Sequence, residues 1–300
     1  MQVFRHIPTS LQPPCALAIG NFDGMHLGHQ ALLGALMQTA DSLKLTSAVM
    51  TFEPHPREFF APESAPARLC SMREKLEHFA AAGVERVYVC RFNQRFARVS
   101  ADEFMQTILR NALNAQTILV GEDFRFGAMR AGSIIDFIEE KFNLISLPQV
   151  NLADARVSST RVRSALAVGN LQEAALLLGR SYSISGKVVH GAKRGRQLGF
   201  PTANVHMRHE RPALTGVYAV KLDGLNAVAN LGVRPTIVGV PKLSLEVHVI
   251  DFNGDLYEKH VHVEFLHKIR DEMKFDGLDA LKVQIAADVV AARAFFINHR

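Results

Sequence analysis

Two histidines three residues apart, His26 and His29, stand in the stretch GNFDGMHLGH at residues 20–29. At this spacing both rings share a face where a helix would begin. A helix start offers free N–H groups and partial positive charge to a phosphate. Two imidazole donors beside it suit the charge that builds on an α-phosphate under attack, which is nucleotidyl-transfer chemistry. A zinc site is a rival reading, with His55 as a further ligand, but neither an HExxH pattern nor a carboxylate spacing accompanies the pair. Two surface histidines in a loop is the plain alternative. Context favours the nucleotide: the apolar run 16–19 precedes, and Gly20 and Gly24 let the chain turn sharply beside a ligand.

A second set lies in GKVVHGAKRGRQLGFPTANV (186–205), where Gly191, Gly195 and Gly199 alternate with Lys193, Arg194 and Arg196. Such a loop can fold over phosphates with backbone N–H groups and cations together. The Walker pattern GxxxxGK[ST] is missing, and a basic surface hairpin or an RNA-contacting loop fits this stretch equally well. Pro201 then stiffens the chain, and Thr202 and Asn204 share one face of an extended segment. A hydroxyl and an amide side by side are oxygen ligands suited to Mg²⁺ carrying ATP phosphates. In LSLEVHVIDF (243–252), Leu245, Val247 and Val249 take one face, and Ser244, Glu246 and His248 the other. On pattern alone Glu246 reads as a solvent-facing strand carboxylate.

Three shorter stretches have dual readings. GEDFRFG (121–127) follows an apolar run, so Asp123 either caps a turn or meets nucleotide hydroxyls. SSTRVR (158–163) puts Ser159 and Thr160 at a helix start, where capping alone explains them, while Arg161 and Arg163 suit a second phosphate clamp. In the proline-stiffened TFEPHP (51–56), His55 is either structural or a ligand contact.

The elements that must position these groups follow from periodicity. Strand patterns at 16–19, 46–52, 86–89, 117–120 and 144–147 alternate with helical patterns at 29–43, 71–82, 100–113 and 132–142. Strand then helix, repeated, predicts a parallel sheet covered on both faces, with ligands beyond the C-terminal strand ends, where GNFDG and GEDFRFG fall. Residues 158–178 read as two short helices broken at Gly169-Asn170. Beyond Tyr182, period-2 stretches at 183–189, 216–222, 226–231, 243–252 and 260–265, with the turn signals Asp223-Gly224 and Asn253-Gly254, predict an antiparallel barrel or sandwich. A closing amphipathic helix is expected over 276–297. The boundary is expected near residue 181.

Three hundred residues favour two domains over one. An apolar fraction of 48% with 21% charged residues describes an ordinary globular chain, and a net charge of +5 favours acidic ligands only in a general way. Phe is abundant at 19 and Trp absent, so aromatic burial falls to Phe. Cys15, Cys70 and Cys90 are odd in number and lack CxxC spacing, which predicts reduced thiols and a cytoplasmic protein. Neither a signal peptide nor an apolar run near the roughly 18 residues of a membrane span is expected.

GNFDGMHLGHQALL, TFEPHP, GEDFRFG, VSSTRVR and GFPTAN, in this order over essentially the whole chain, resemble the bacterial bifunctional riboflavin kinase/FAD synthetase family. HxGH alone is shared with cytidylyltransferases, pantetheine-phosphate adenylyltransferase and class I aminoacyl-tRNA synthetases; the joint occurrence is specific. The resemblance implies a Rossmann-like FMN adenylyltransferase domain (1–180) and a β-barrel riboflavin kinase domain with a C-terminal helix (181–300). It implies ATP-dependent phosphorylation of riboflavin to FMN, then adenylylation of FMN to FAD with release of pyrophosphate. FMN and FAD are then substrate and product, and the metal is Mg²⁺ with ATP.

Residue by residue, the resemblance places His26 and His29 at the α-phosphate. Gly20, Asn21, Phe22, Asp23, Gly24, Asp123, Ser159, Thr160 and Arg163 fall at the first ATP, and Gly191, Lys193, Gly195 and Gly199 at the second. Thr202 and Asn204 would hold the metal, and Glu246 would be the general base of the kinase. His55, Arg234 of NLGVRPT and Arg270 of IRDEMKF fall to the flavin, although the two arginines serve equally as structural ion-pair partners. One departure is Glu258 in DFNGDLYEKH, where turns of this kind carry glycine. The expected partners are small molecules alone, with neither nucleic acid nor membrane, in a monomer or weak homo-oligomer. The rivals are a nucleotidyltransferase acting on another phosphorylated alcohol or on tRNA, and a nucleotide- or RNA-binding regulator without turnover.

Overall fold

A computed structural model describes residues 1–190, 199–207, 211–234 and 242–299, without the side chains of residues 233, 234 and 242. Contacts divide the chain into two compact units: Met1–Pro66 with Met72–Ser158, and Ala67–Ser71 with Ser159–Arg300.

The first unit is the expected α/β layer. Its strands are β1 (Gln2–Phe4), β2 (Cys15–Ile19), β3 (Thr46–Glu53), β4 (Arg86–Arg91), β5 (Ala115–Gly121) and β6 (Asn143–Leu147). They form one sheet of order β1-β4-β3-β2-β5-β6, every pair parallel. The helices include α1 (Leu27–Leu43), α2 (Pro56–Phe60), α3 (Met72–Ala81) and α5 (Ile134–Glu139), with α4 running from Ala101–Glu103 into a π-helical stretch, Phe104–Ala112. In β2 all five residues are buried, because both sheet faces are covered. Cys15, Leu17 and Ile19 face a core with Tyr88, Phe104 and Phe137, whereas Ala16 and Ala18 face Leu33, Leu36 and Phe79. Strand order reverses between β2 and β5, so the crevice beyond their C-terminal ends is the ligand position of such sheets.

The second unit opens with α6 (Ser159–Ala167) and α7 (Leu171–Leu178), joined by the Arg161–Glu173 ion pair at 2.9 Å. Next come β7 (Tyr182–Val189), β8 (Ala203–His206), β9 (Gly216–Leu222), β10 (Leu225–Arg234), β11 (Lys242–Val249) and β12 (His260–Arg270). These six close into a barrel of order β8-β11-β10-β9-β12-β7, antiparallel throughout. The barrel therefore prevails over the sandwich. Helix α8 (Leu278–Asn298) lays Ala292 and Phe296 on the outer side of the barrel against Val217, Ala219 and Val228.

Two strands of the main sheet and the barrel escaped the periodic reading for the same reason, as did the short ribbon Asn151–Leu152/Ala155–Arg156. Gln2–Phe4 and Ala203–His206 are too short to show a pattern, and each is fixed by pairing with distant chain. The departure at Glu258 is accommodated: the residue takes the left-handed φ of 65° itself, its N–H donates to the Val188 carbonyl at 2.9 Å, and its carboxylate pairs with Lys187. All three cysteines are free and buried, and burial pushes the Cys15 and Cys90 thiols up to about 12, so they stay protonated and unreactive.

Candidate active sites

The turn after β2 is strained inward. Phe22 and Met25 hold positive φ (50° and 47°), a conformation costly for side-chain-bearing residues, and Gly24 sits between them at 80°. The rotation drives the Phe22 ring into the core, edge-on to Phe79 at 5.1 Å and tilted against His29 at 5.3 Å. His26 is the N-cap of α1: its Nδ1 accepts from the His29 N–H at 3.4 Å, and its carbonyl accepts from the same N–H at 2.8 Å. The two imidazoles then stack, centroids 3.7 Å apart and 18° from parallel.

The glycine between them is what permits this. A Cβ on Gly28 would lie 3.2 Å from the His26 ring and 3.9 Å from the Val157 carbonyl. Gly28 is the glycine of HxGH, and the packed His26 ring shows what a side chain there would meet. The Nδ1 of His29 is buried and has no hydrogen-bond partner among the described residues. Burial first, then the neighbouring His26 and Lys75, hold its protonation well below the ordinary histidine range. At neutral pH this imidazole is an uncharged hydrogen-bond group.

Gly20 and Asn21 of that turn line a cleft of about 820 Å³ within the first unit, together with Asp123 and residues 124–127 after β5. The crevice at the strand-order reversal is therefore a real cavity, of the size that takes a drug-sized ligand. Asp123 is not free in it, since its carboxylate accepts from Arg156 at 2.7 Å. The rest of the lining was not legible in the sequence: Phe52, Phe60, Phe92, Phe96, Phe104, Phe124 and Phe126 wall the cleft, with Arg57, Arg125 and Arg130 among them. Phe52 and Phe92 meet edge to face at 90°, while Phe124 and Phe126 stack at 5.8 Å. The signals were the phenylalanines of TFEPHP and GEDFRFG and the one after β4, in a chain without Trp.

His55 caps a helix beside the cleft lining. It is the N-cap of α2, its Nδ1 accepting from the Arg57 N–H at 3.1 Å while Glu58 closes the reciprocal bond at 3.1 Å. Of its two readings, structural and ligand-contacting, the structure displays the first. In SSTRVR, Ser159 and Thr160 open α6, and the Arg163 Nε donates to the Ala67 carbonyl at 2.6 Å. Arg161 is committed to Glu173.

In the barrel, pairing sets the geometry. Asn204 on β8 stands directly opposite Glu246 on β11, and Asn230 on β10 flanks Glu246 from the other side. Directly opposed residues share a face, so Asn204, Asn230 and Glu246 form one polar patch on the outer face, while Leu245, Val247 and Val249 are buried. The Ser244 hydroxyl donates to Glu246 at 3.2 Å. His248 Nδ1 lies 2.8 Å from the Pro201 carbonyl, pinning the segment that carries Thr202. Thr202 itself lines a cleft of about 330 Å³ with Val188, Phe252 and Tyr257. Glu272 joins the patch, since its carboxylate lies over Gly232 where any side chain would collide with it.

Arg270 is engaged with α8. It makes paired bonds of 2.9 and 2.8 Å to the buried Asp288, which Gln284 also meets at 2.9 Å. The ion-pair reading of Arg270 is the one visible. The strand position of Arg234, at the end of β10 opposite Lys242, is set, but its side chain lies outside the described residues. So do Gly191, Lys193, Arg194, Gly195 and Arg196; Gly199 is described, at φ 87° with open space around it.

Comparison with known proteins agrees with both halves. The FAD synthetase model matches residues 9–161, and the riboflavin kinase model matches residues 178–296. The chain belongs to the bifunctional riboflavin kinase/FMN adenylyltransferase family. A family member from Pseudomonas fluorescens is 48% identical over 93% of this chain and 92% of its own length. One from Escherichia coli K12 is 45% identical over 99% and 98%. A solved structure named as a macrolide-efflux protein from Streptococcus pneumoniae superimposes with a TM-score of 0.82 at 33% identity, covering 98% of this chain and 99% of that one. Among the described residues, no helix is long and apolar enough to cross a membrane.

Proposed function

We propose that this chain makes FMN from riboflavin and ATP, and then FAD and pyrophosphate from FMN and a second ATP. The division of labour runs near residue 181, with adenylylation in 1–180 and phosphorylation in 181–300. The observation that carries the reading is the cleft of the first unit. There Gly20 and Asn21, which open the turn that carries the imidazoles, meet an aromatic wall in about 820 Å³ at the strand-order reversal of a parallel sheet, while the His26 and His29 rings lie behind that lining. Phenylalanine faces suit a flat isoalloxazine, and arginines beside them suit a phosphate.

In adenylylation, the phosphate of FMN attacks the α-phosphorus of ATP and pyrophosphate leaves, so no covalent enzyme intermediate is needed. His26 and His29 donate hydrogen bonds to the α-phosphate oxygens as charge develops on them. Gly20, Asn21, Phe22, Asp23 and Gly24 shape the turn that presents them, and Asp123 faces the nucleotide. Ser159, Thr160 and Arg163 are assigned to ATP phosphates on the family motif alone.

In phosphorylation, Glu246 accepts the proton of the ribityl hydroxyl as that oxygen attacks the γ-phosphorus. The Thr202 hydroxyl, the Asn204 amide and the Glu246 carboxylate are hard oxygen donors, which fit Mg²⁺. When bound, that ion would draw charge from the transferring phosphate. Gly191, Lys193, Gly195 and Gly199 would cover the phosphates, and Arg234 and Arg270 shape the flavin side, the latter by holding α8 against the barrel. The protein acts in the cytoplasm on small molecules, as a monomer or weak homo-oligomer.

Purified protein mixed with riboflavin and Mg-ATP, with the flavins separated by chromatography, should yield FMN and then FAD. FMN alone would remove the first unit's assignment, and neither product would remove both.

A further inference from the structure

One of the two imidazoles brings no positive charge to the proposed task. His29 is kept neutral, so it donates a hydrogen bond without a charge, and Asp23 in the same turn is buried at 3% exposure. A nucleoside triphosphate brings several negative charges, which the helix N-terminus offsets only by a fraction.

Lys75 on α3 stands out against this background. It is 3% exposed, and lysines are almost never so buried unless paired. Among the described residues no carboxylate lies within ion-pair distance of its ammonium; the charge it is seen to act on is another base, His29. Its place is fixed by packing. Phe79 lies one helical turn further on the same face of α3, meets Phe22 edge-on at 5.1 Å, and Phe22 in turn meets His29 at 5.3 Å. The chain Phe79–Phe22–His29 locks the helix of Lys75 against the imidazole turn, where the His29 Nδ1 is itself buried without a partner. A buried, uncompensated ammonium costs stability. Holding one beside a helix N-terminus makes sense where an anion comes to it.

We infer that Lys75 is a phosphate-binding residue of the adenylyl-transfer site. Its ammonium supplies positive charge beside the uncharged His29, to the phosphates of a nucleoside triphosphate and to the pyrophosphate that leaves. The inference rests on the adenylylation reading above and names a residue that the recurrent motifs do not contain.

The test uses the full chain and inorganic pyrophosphate. In the wild type, the side-chain Cε resonance of Lys75, assigned by its loss in Lys75→Arg, should shift on pyrophosphate titration. Lys75→Met should weaken pyrophosphate binding by roughly tenfold to a hundredfold, the range for removing a charge-assisted hydrogen bond. The unfolding temperature should stay level or rise, since an unpaired buried charge is gone. Lys75→Arg should recover most of the affinity.

An unmoved Lys75 resonance would overturn the inference, and it is read on the wild type even if Lys75→Met fails to fold. So would Lys75→Met binding pyrophosphate within twofold of wild type. The two readings fail separately. A Lys75 signal that responds in a protein unable to convert FMN keeps the anion site and removes adenylylation. FAD formed at full rate by Lys75→Met removes only the role of Lys75.

Discussion

The two candidate sites solve the same electrostatic problem in opposite settings. In the α/β unit the reactive groups are buried at a strained turn, stacked on each other at 3.7 Å, with Phe22 and Phe79 beneath them. In the barrel they sit on the outer face of regular strands, where Asn204, Asn230 and Glu246 are set by register alone. The first arrangement builds its charge out of the protein: a helix N-terminus, an imidazole pair of which His29 is neutral, and a buried lysine. The second presents hard oxygens, which need a cation to become attractive to phosphate. A buried site is sensitive to single atoms of packing; a site on a strand face is sensitive to the identity of its side chains and tolerant of what lies behind them.

The largest effect expected from breaking this contrast is on the imidazole pair. Replacing His26 and His29 together by asparagine should reduce FAD formation from supplied FMN by about 10³-fold or more, on the scale of losing preorganised donors, with FMN formation from riboflavin retained. A loss of both activities in a folded protein would mean the two regions are not independent. Next comes the clamp behind the barrel. Asp288→Ala strands the largely buried Arg270 guanidinium, whose side chain is 19% exposed. The second unit should lose about 3 kcal/mol of stability, read by denaturant unfolding, whereas FAD formation from FMN should change little below the new transition. An unchanged midpoint would show that Arg270 finds another partner.

The smallest effect concerns pH. Because the folded state lowers the affinity of His29 for a proton, the unfolded state takes up that proton first as pH falls below 6.5. Stability from this group is therefore present above 6.5 and is lost as pH drops below it, by at most about 1.4 kcal/mol per pH unit. His29→Asn should flatten the fall in unfolding temperature between pH 7 and pH 5.5. A slope identical to wild type would contradict a neutral His29.

Much of this was legible in residue types and spacing, for identifiable reasons. The parallel strands after Gln2–Phe4 and the barrel strands other than Ala203–His206 read correctly because a run such as CALAI or the alternation LSLEVHV leaves few other folds for its backbone. The helix-start position of His26 followed from glycines and spacing. What stayed hidden depends on which distant residues meet. The phenylalanine wall is drawn from β3, from helices after β3 and β4, and from the stretches after β4 and β5. Gly28 stands in HxGH, but only the folded turn shows that a Cβ there would meet the His26 ring at 3.2 Å. Lys75 lies on an ordinary amphipathic helix, and only its burial beside His29 sets it apart. His55 and Arg270 illustrate the converse: residues of the right type in family stretches whose visible bonds are a helix cap and a clamp to α8.

Glu246→Gln, given riboflavin in one reaction and FMN in another with Mg-ATP in both, tests the separation of the two chemistries most directly. The account predicts FAD from FMN at close to the wild-type rate, and FMN formation from riboflavin lowered by about 10²–10⁴-fold, the usual worth of a general base. FMN made from riboflavin at an undiminished rate, or FAD formation falling in step with it, would contradict the account.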